Sequence, residues 1–427
     1  MSTTGNHSAS QIQALNQAKP QPEAATPSWR VLHVCENVRD VLAVAEGQVA
    51  VGMRPYIVTP QGAAAAELYL AGKESGPPTS LSLLRSWQDV RNWRKSILEC
   101  DPTASADVVH AHSFAAGMAA VRTCEGVVYD FRDCIDDLAL AAKQSEPGSW
   151  MGRSFRAAEQ FILSRAAAVV VHSLGMLEAA RERGAPAASL FCIPDPLSPE
   201  DVMAAPSAAP KFAFRPQTTL FFAPQPPLAR TEKLPRSAVF VLDAFALVEA
   251  ELGDCRLLLE AWQGSRKSLQ HQVNHKRLTD KVIVVDEAAS ASAWQSAQVV
   301  IAMGDGDAGA ANSRRSSAVC LRALRLGATL LAADLPQNRD VSPEGRGCLW
   351  FDSNNVRDLG SRMAFLGKNR DFCAALALAG RVHLLETRSH AAIGRKYSET
   401  YGHAVGRKKS KGNGPGLTAF LPATNCA

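Results

Sequence analysis

A chain of 427 residues is long enough for two or three domains with real hydrophobic cores. Its 46% hydrophobic and 20% charged content match an ordinary soluble globular protein, and a net charge of +5 admits an anionic ligand or membrane surface without requiring nucleic acid. No apolar run reaches the ~18 residues of a membrane-spanning helix.

Residues 1–28 are polar, rich in Ala, Gln, Ser and Pro, and lack the apolar core of a secretory signal; the segment is expected to be disordered, and export is not supported. From residue 29 short β-branched runs alternate with helical stretches, the pattern of a parallel sheet covered by helices. Strands are expected at RVLHVC (30–35), PYIVT (55–59), ADVVHA (106–111), GVVYDF (126–131), AAVVVH (167–172) and SLFCIP (189–194). Helical periodicity covers 83–99 and 154–166. In the first of these helices Trp87 and Trp93 stand among Arg85, Arg91, Arg94 and Lys95, which suits peripheral contact with an anionic membrane face. Packing of that helix on the N-terminal sheet is the preferred reading.

Residues 29–197 therefore read as one α/β domain, and the Pro- and Ala-rich segment 198–216 as a linker. The alternation restarts with TTLFFA (218–223), CRLLLEA (255–261), KVIVVD (281–286), AQVVIAM (297–303) and GATLLAA (327–333), giving a second domain over 217–388. Helices at about 355–385 and 389–403 follow, with a basic, Gly-rich tail at 406–427. Two such units imply a cleft, and open parallel sheets bind ligands beyond the carboxyl ends of their strands. The ten cysteines are scattered without a Cys-x-x-Cys pair, which favours buried free thiols and a cytoplasmic setting.

Gly-x-Gly-x-x-Gly after a strand, a Walker loop, His-Glu-x-x-His and Gly-x-Ser-x-Gly are all missing from the sequence. No metal site is expected. His110 and His112 in VVHAHS are set on opposite faces of a strand end, so a histidine turned to the cleft is preferred over a ligand pair.

The order of several segments is more informative than any one of them. ADVVHAHSFAAGMAAV (106–121), VVYDFRD (127–133), the helix–strand–helix–strand run 158–197, AVFVLDAFALVEAELGDCRLLLE (238–260), SAQVVIAM (296–303) and LRALRLGATLLAADLPQNRDVSPEGRGCLWFDSNNVRDL (321–359) follow one another. Together with the helix HAAIGRKYSETYGHAV (390–405), this series resembles the family 4 glycosyltransferases, retaining enzymes of the GT-B fold. The resemblance implies an α/β molecule of two Rossmann-like parallel-sheet domains facing each other across a cleft, with the helix at 389–405 crossing back to the N-terminal domain. It implies transfer of a sugar from a nucleotide-diphosphate sugar to an acceptor hydroxyl on a glycan, a lipid-linked molecule or a small molecule. Donor contacts belong mainly to the C-terminal domain and acceptor contacts to the N-terminal one, with neither metal nor cofactor; the location would be cytoplasmic or peripheral at the inner membrane face.

Positions carried over from the family pattern show substitutions. Two glutamates with seven residues between them are replaced by Arg314 and Arg322. A guanidinium donates five hydrogen bonds and accepts none, so it suits phosphate rather than a ribose diol. Asp305 or Asp307 in the long loop 304–317 would supply a sugar-binding carboxylate. Counted from the LDAF helix, Arg236 falls where the family holds the diphosphate, with Arg230 and Lys233 as the alternative register, and Asp340 falls where it has a glutamate. On the acceptor side stand His110, Arg132 (where a histidine is usual) and Asp133. His112 and Asp307 are the catalytic candidates. The family's Gly-rich turn after the first strand is replaced by CENVRDVLAVAEG (35–47). These substitutions set a second reading beside the active enzyme, a weakened relative that binds a nucleotide sugar, glycan or partner subunit. A nucleotide-sugar epimerase is a third, without a convincing acid/base set.

Overall fold

A strand buried on both faces needs a near-continuous apolar run, and the chain supplies two series of them. The computed structural model describes residues 28–412 apart from 36–38, 60–61, 66–82, 100–105, 137–145, 147, 198–211, 213, 216, 226–233, 263 and 304–316. The first series forms β1 (Arg30–Val34), β2 (Arg54–Thr59), β3 (Gly62–Ala65), β4 (Val108–Ala111), β5 (Val127–Asp130), β6 (Ala168–Val171) and β7 (Leu190–Cys192), in the order β3-β2-β1-β4-β5-β6-β7. All pairings are parallel except β2 with β3, an antiparallel edge strand that the sequence does not announce.

The helices of this half are α1 (Arg39–Ala50), α2 (Leu83–Glu99), α3 (Phe114–Thr123), α4 (Trp150–Arg165) and α5 (Leu174–Glu182). Serines start three of them: Ser113, Ser149 and Ser173 accept from Ala116 N, Gly152 N and Met176 N and satisfy first-turn donors that the helix leaves unpaired. Gly117 lets α3 lie directly on β5, because a Cβ there would meet the Tyr129 ring at 2.7 Å. On α2, Val90, Trp93 and Ile97 are buried while Arg91, Arg94 and Lys95 are exposed. Trp93 thus belongs to the core and is withdrawn from any membrane face; the Arg85 and Trp87 side chains lie outside the described residues.

The second series forms β8 (Thr219–Ala223), β9 (Cys255–Glu260), β10 (Val282–Val285), β11 (Val299–Ala302), β12 (Thr329–Ala333) and β13 (Cys348–Phe351), all parallel, in the order β10-β9-β8-β11-β12-β13. Its helices are α6 (Arg236–Val248), α7 (Arg266–His275), α8 (Glu287–Ser296), α9 (Ala318–Arg325), α10 (Pro336–Arg339), α11 (Val356–Lys368) and α12 (Arg370–Arg388). Gly327, with φ +72°, closes α9 in the left-handed conformation that frees the chain to turn into β12.

The last helix, α13 (His390–Gly412), returns to the first sheet. Ile393, Tyr397, Tyr401 and Ala404 pack against Val31, Val108, Val128 and Val170. It can lie that close because Gly394 faces Gly47 of α1, where a Cβ on Gly394 would collide with the Gly47 carbonyl. The described cysteines are free thiols, most of them buried, with Cys192 exposed.

Candidate active site

The carboxyl ends of the two sheets meet through short loops. β6 runs into His172 and Ser173, which start α5, and β12 runs through Asp334 into α10. Across this junction Leu174 N donates to Asp340 Oδ1 at 2.7 Å. A carboxylate at a helix N-terminus is electrostatically favoured, so the contact joins the domains as well as capping α5. Arg388 Nη1 to Asp195 O (3.3 Å) and His390 Nε2 to Leu197 O (2.7 Å) join the same region from α12 and α13.

At the carboxyl edge of the first sheet lies a buried polar chain. His33 and His110 are paired in register across β1 and β4. His110 and His112 share a face, with ring centroids 4.0 Å apart. The expectation of opposite faces is corrected here: strand side chains alternate, so residues two apart point the same way. His33 Nδ1 bonds His112 Nε2 at 2.8 Å, and His33 Nε2 bonds Gln48 at 2.8 Å. Gln48 and His110 Nδ1 both reach the Tyr401 hydroxyl, at 2.7 and 2.9 Å. His112 Nδ1 donates to Asp130 Oδ2 at 2.8 Å. His172 Nε2 donates to Asp130 Oδ1 at 2.5 Å, and His172 Nδ1 to Ile193 O at 2.8 Å.

The charges in this chain follow from burial and partners. Both nitrogens of His172 face acceptors, an arrangement that favours the imidazolium. Burial disfavours that charge, but Asp130 and then Asp195 outweigh it and raise the pKa. Burial pushes His33 down to about 3, with the charge of His112 adding to it, and lowers His110 and His112 in the same way. Burial also opposes the Asp130 charge, yet Arg132 and His172 hold its carboxyl well below the usual range. Arg132 closes the chain toward solvent, giving Nε to Asp130 at 2.9 Å and Nη1 to Asp195 at 3.2 Å.

Two candidates therefore change role. The His112 side chain is 2% exposed and His110 is fully buried, so neither presents a ring to a substrate. They turn inward because Asp130 and Tyr401 give them partners there. Arg132 and Asp133 are half-buried beside them and remain at the surface of the junction. His33, His110 and His112 form a group, among the described residues, whose ligand atoms could share a metal ion, all within 4.8 Å of one another. Their nitrogens are engaged in the hydrogen-bond chain, except the buried His110 Nε2, which has no partner.

On the C-terminal side Arg322 is exposed and lies over the Trp294 ring, 4.5 Å from its centroid, and desolvation there lowers its pKa against the pull of Glu260. Arg236 is exposed at the first residue of α6. Asp340, read as a donor contact, is engaged by Leu174 N. Arg230, Lys233, Asp305, Asp307 and Arg314 lie outside the described residues. The sequence reading passes over His33, Asp130, His172 and Glu260. Glu260, 5% exposed at the carboxyl end of β9, accepts from Gln225 N at 2.8 Å. A charged residue closing an apolar strand is the signal that marks Asp130 and Glu260, since buried carboxylates are rare unless paired.

Comparison with known proteins agrees with this frame. Residues 37–196 match the family profile described as a Glycosyl transferase 4-like domain. No curated protein matches the chain in sequence. A glycosyltransferase structure from Rickettsia africae ESF-5 is similar with a TM-score of 0.56 at 12% identity, covering 88% of this chain and 99% of that one. Sucrose-phosphate synthase from Thermosynechococcus elongatus is similar at 0.53 and 13%, covering 90% and 100%. Anabaena HepE, in complex with UDP-glucose, is similar at 0.52 and 11%, covering 88% and 99%. Likeness at these identities establishes the architecture, which is GT-B.

Proposed function

We propose that this chain, which carries a glycosyl transferase 4-like domain over residues 37–196 in a GT-B frame, moves a sugar from a nucleotide-diphosphate sugar to an acceptor hydroxyl. The observation that carries the reading is the meeting of two sets of strand carboxyl ends at the Leu174–Asp340 contact, since paired open sheets bind ligands there. The HepE structure with UDP-glucose makes UDP-sugars the first donors to try. Retention of configuration, and an acceptor that is a glycan, a lipid-linked molecule or a small molecule, come with the family resemblance.

Departure of a nucleoside diphosphate leaves negative charge, which fixed cations stabilise. Arg230, Lys233 and Arg236 are assigned to the diphosphate, with Arg314 and Arg322 as further cations of the same cleft. Arg132 and Asp133, at the open end of the buried chain, are assigned to the acceptor. We assign the reaction to the cytoplasm, with domains over 29–197 and 217–388. No helix among the described residues is long and apolar enough to cross a membrane.

Thermal unfolding with UDP-, GDP- and ADP-sugars tests the donor assignment. A ligand at a hundred times its Kd stabilises a folded chain by about 2.7 kcal/mol, a readily measured rise in Tm. No shift with any of the three sinks the proposal. One observation favours a second reading, binding without efficient turnover: Arg322 stands where the resemblance calls for a carboxylate and rests on Trp294. Under that reading a donor raises Tm without being hydrolysed, and the double change Arg314→Glu, Arg322→Glu gains donor hydrolysis. Hydrolysis by the unchanged protein excludes it.

A further inference from the structure

Beside the Leu174–Asp340 contact the two domains enclose a cavity of about 330 Å³. Its walls come from separate parts of the chain: His172 and Cys192 from the first sheet's carboxyl edge, Asp340 from the loop after β12, Arg388 from α12 and Lys396 from α13. That volume is at the low end for ligand sites, enough for a phosphate bearing a short organic group.

The cavity contains an under-bonded buried cation. Arg388 is 3% exposed, and its bond within the described residues is one contact of 3.3 Å from Nη1 to Asp195 O. A guanidinium has five N–H donors, so this one, lining the cavity, carries more donors than that single bond uses. Asp340 supports its charge most strongly, yet Asp340 already accepts from Leu174 N. Glu344, a further carboxylate of the wall, is paired with Arg346. Lys396 lines the same space and has no ion-pair partner among the described residues. A buried guanidinium held by one long hydrogen bond has unused donors, and a guanidinium and an ammonium lining one cavity form a usual recognition set for a phosphate group.

We propose that this cavity, which borders the proposed donor cleft at Asp340 but is lined by neither Arg236 nor Arg322, is a second ligand site that takes a phosphate group between the domains on Arg388 and Lys396. The ligand is inorganic phosphate or a small phosphate monoester. Because its walls belong to both domains, occupancy ties them together and favours the closed junction; the site is an effector site.

Cys192 reports on occupancy, since it is exposed and lines the cavity. The full-length chain is treated with iodoacetamide, and Cys192 modification is followed by peptide mass spectrometry against phosphate or glycerol phosphate, with chloride at equal ionic strength as the control. Both anions are expected to slow modification saturably and to raise Tm. If phosphate alone protects, the ligand is the free ion; tighter protection by glycerol phosphate identifies a monoester. Lys396→Met, at a half-exposed position, is expected to raise the dissociation constant about tenfold, as loss of one charge-assisted contact does. Arg236→Ala, on the donor side, leaves it unchanged. Absence of Cys192 protection, equal protection in Lys396→Met, or its loss in Arg236→Ala overturns the proposal.

Discussion

Asp130 is the residue on which the first sheet's carboxyl edge depends. Its carboxylate is fully buried and accepts from His112, His172 and Arg132, each on a different segment of that edge. Removing one partner from a buried ionic group leaves the others uncompensated, at a cost of about 3–5 kcal/mol. Asp130→Asn should therefore lower the urea midpoint by that equivalent; a change under about 1 kcal/mol would show the chain to be incidental. The histidines also give acid sensitivity a definite sign. His33, His110 and His112 have lowered folded values, so the unfolded chain binds more protons and stability falls as pH drops below 6.5, for His33 down to about 3. In that window His33 contributes about 1.4 kcal/mol per pH unit, so His33→Gln should flatten the slope of stability against pH by about that amount. His172 acts oppositely: its value is raised, so its contribution is whole below 6.5 and is lost as pH rises through its folded value. Urea midpoints at several pH values between 4 and 8 check both signs; an unchanged slope in His33→Gln rejects the assignment.

Elements were legible wherever one local pattern decided them. The apolar, β-branched runs from RVLHV to TLLAA became strands because burial on both faces leaves such residues no alternative. β3 has the sequence GAAA, with no β-branched or aromatic residue, and forms only because β2 offers an open edge. β13 is four residues long and needs β12 beside it. The site was harder to read for the same reason. The link from His33 through His112 to Asp130 and His172 needs β1, β4, β5 and β6 side by side, and no local spacing encodes that order. Helix α13 was visible as a helix, whereas its seat depends on Gly394 against Gly47. Gly394→Ala forces a methyl group into a backbone carbonyl, and overpacking of this kind costs about 1–3 kcal/mol. Limited proteolysis should then release α13 faster than in the unchanged chain. An unaltered cleavage rate would mean that the helix is held by its tyrosines alone.

Among the described residues the two sheets are joined at the Leu174–Asp340, Arg388–Asp195 and His390–Leu197 contacts, so the geometry of the cleft depends on such points. Asp340 is one of them, and it has been given two roles: donor contact by family position, domain contact by its bond to Leu174 N. The roles separate experimentally, because a junction residue changes shape and a donor residue changes only affinity. Asp340→Asn keeps the size of the side chain and removes the charge that favours the α5 N-terminus, an interaction of about 0.3–1 kcal/mol at an exposed helix end and up to ~2 when partly buried. If Asp340 holds the junction, small-angle scattering of the variant shows a larger radius of gyration without donor. Saturating donor then restores the compact form, because binding across the cleft opposes the opening. Donor Kd rises by the share of molecules left open, at most about thirtyfold for 2 kcal/mol. If Asp340 instead contacts the sugar directly, the radius is unchanged and the loss of affinity falls on the sugar-bearing donor, with the free nucleoside diphosphate binding as before. Equal weakening of both ligands together with a larger radius assigns Asp340 to the junction, and selective weakening at constant radius assigns it to the donor.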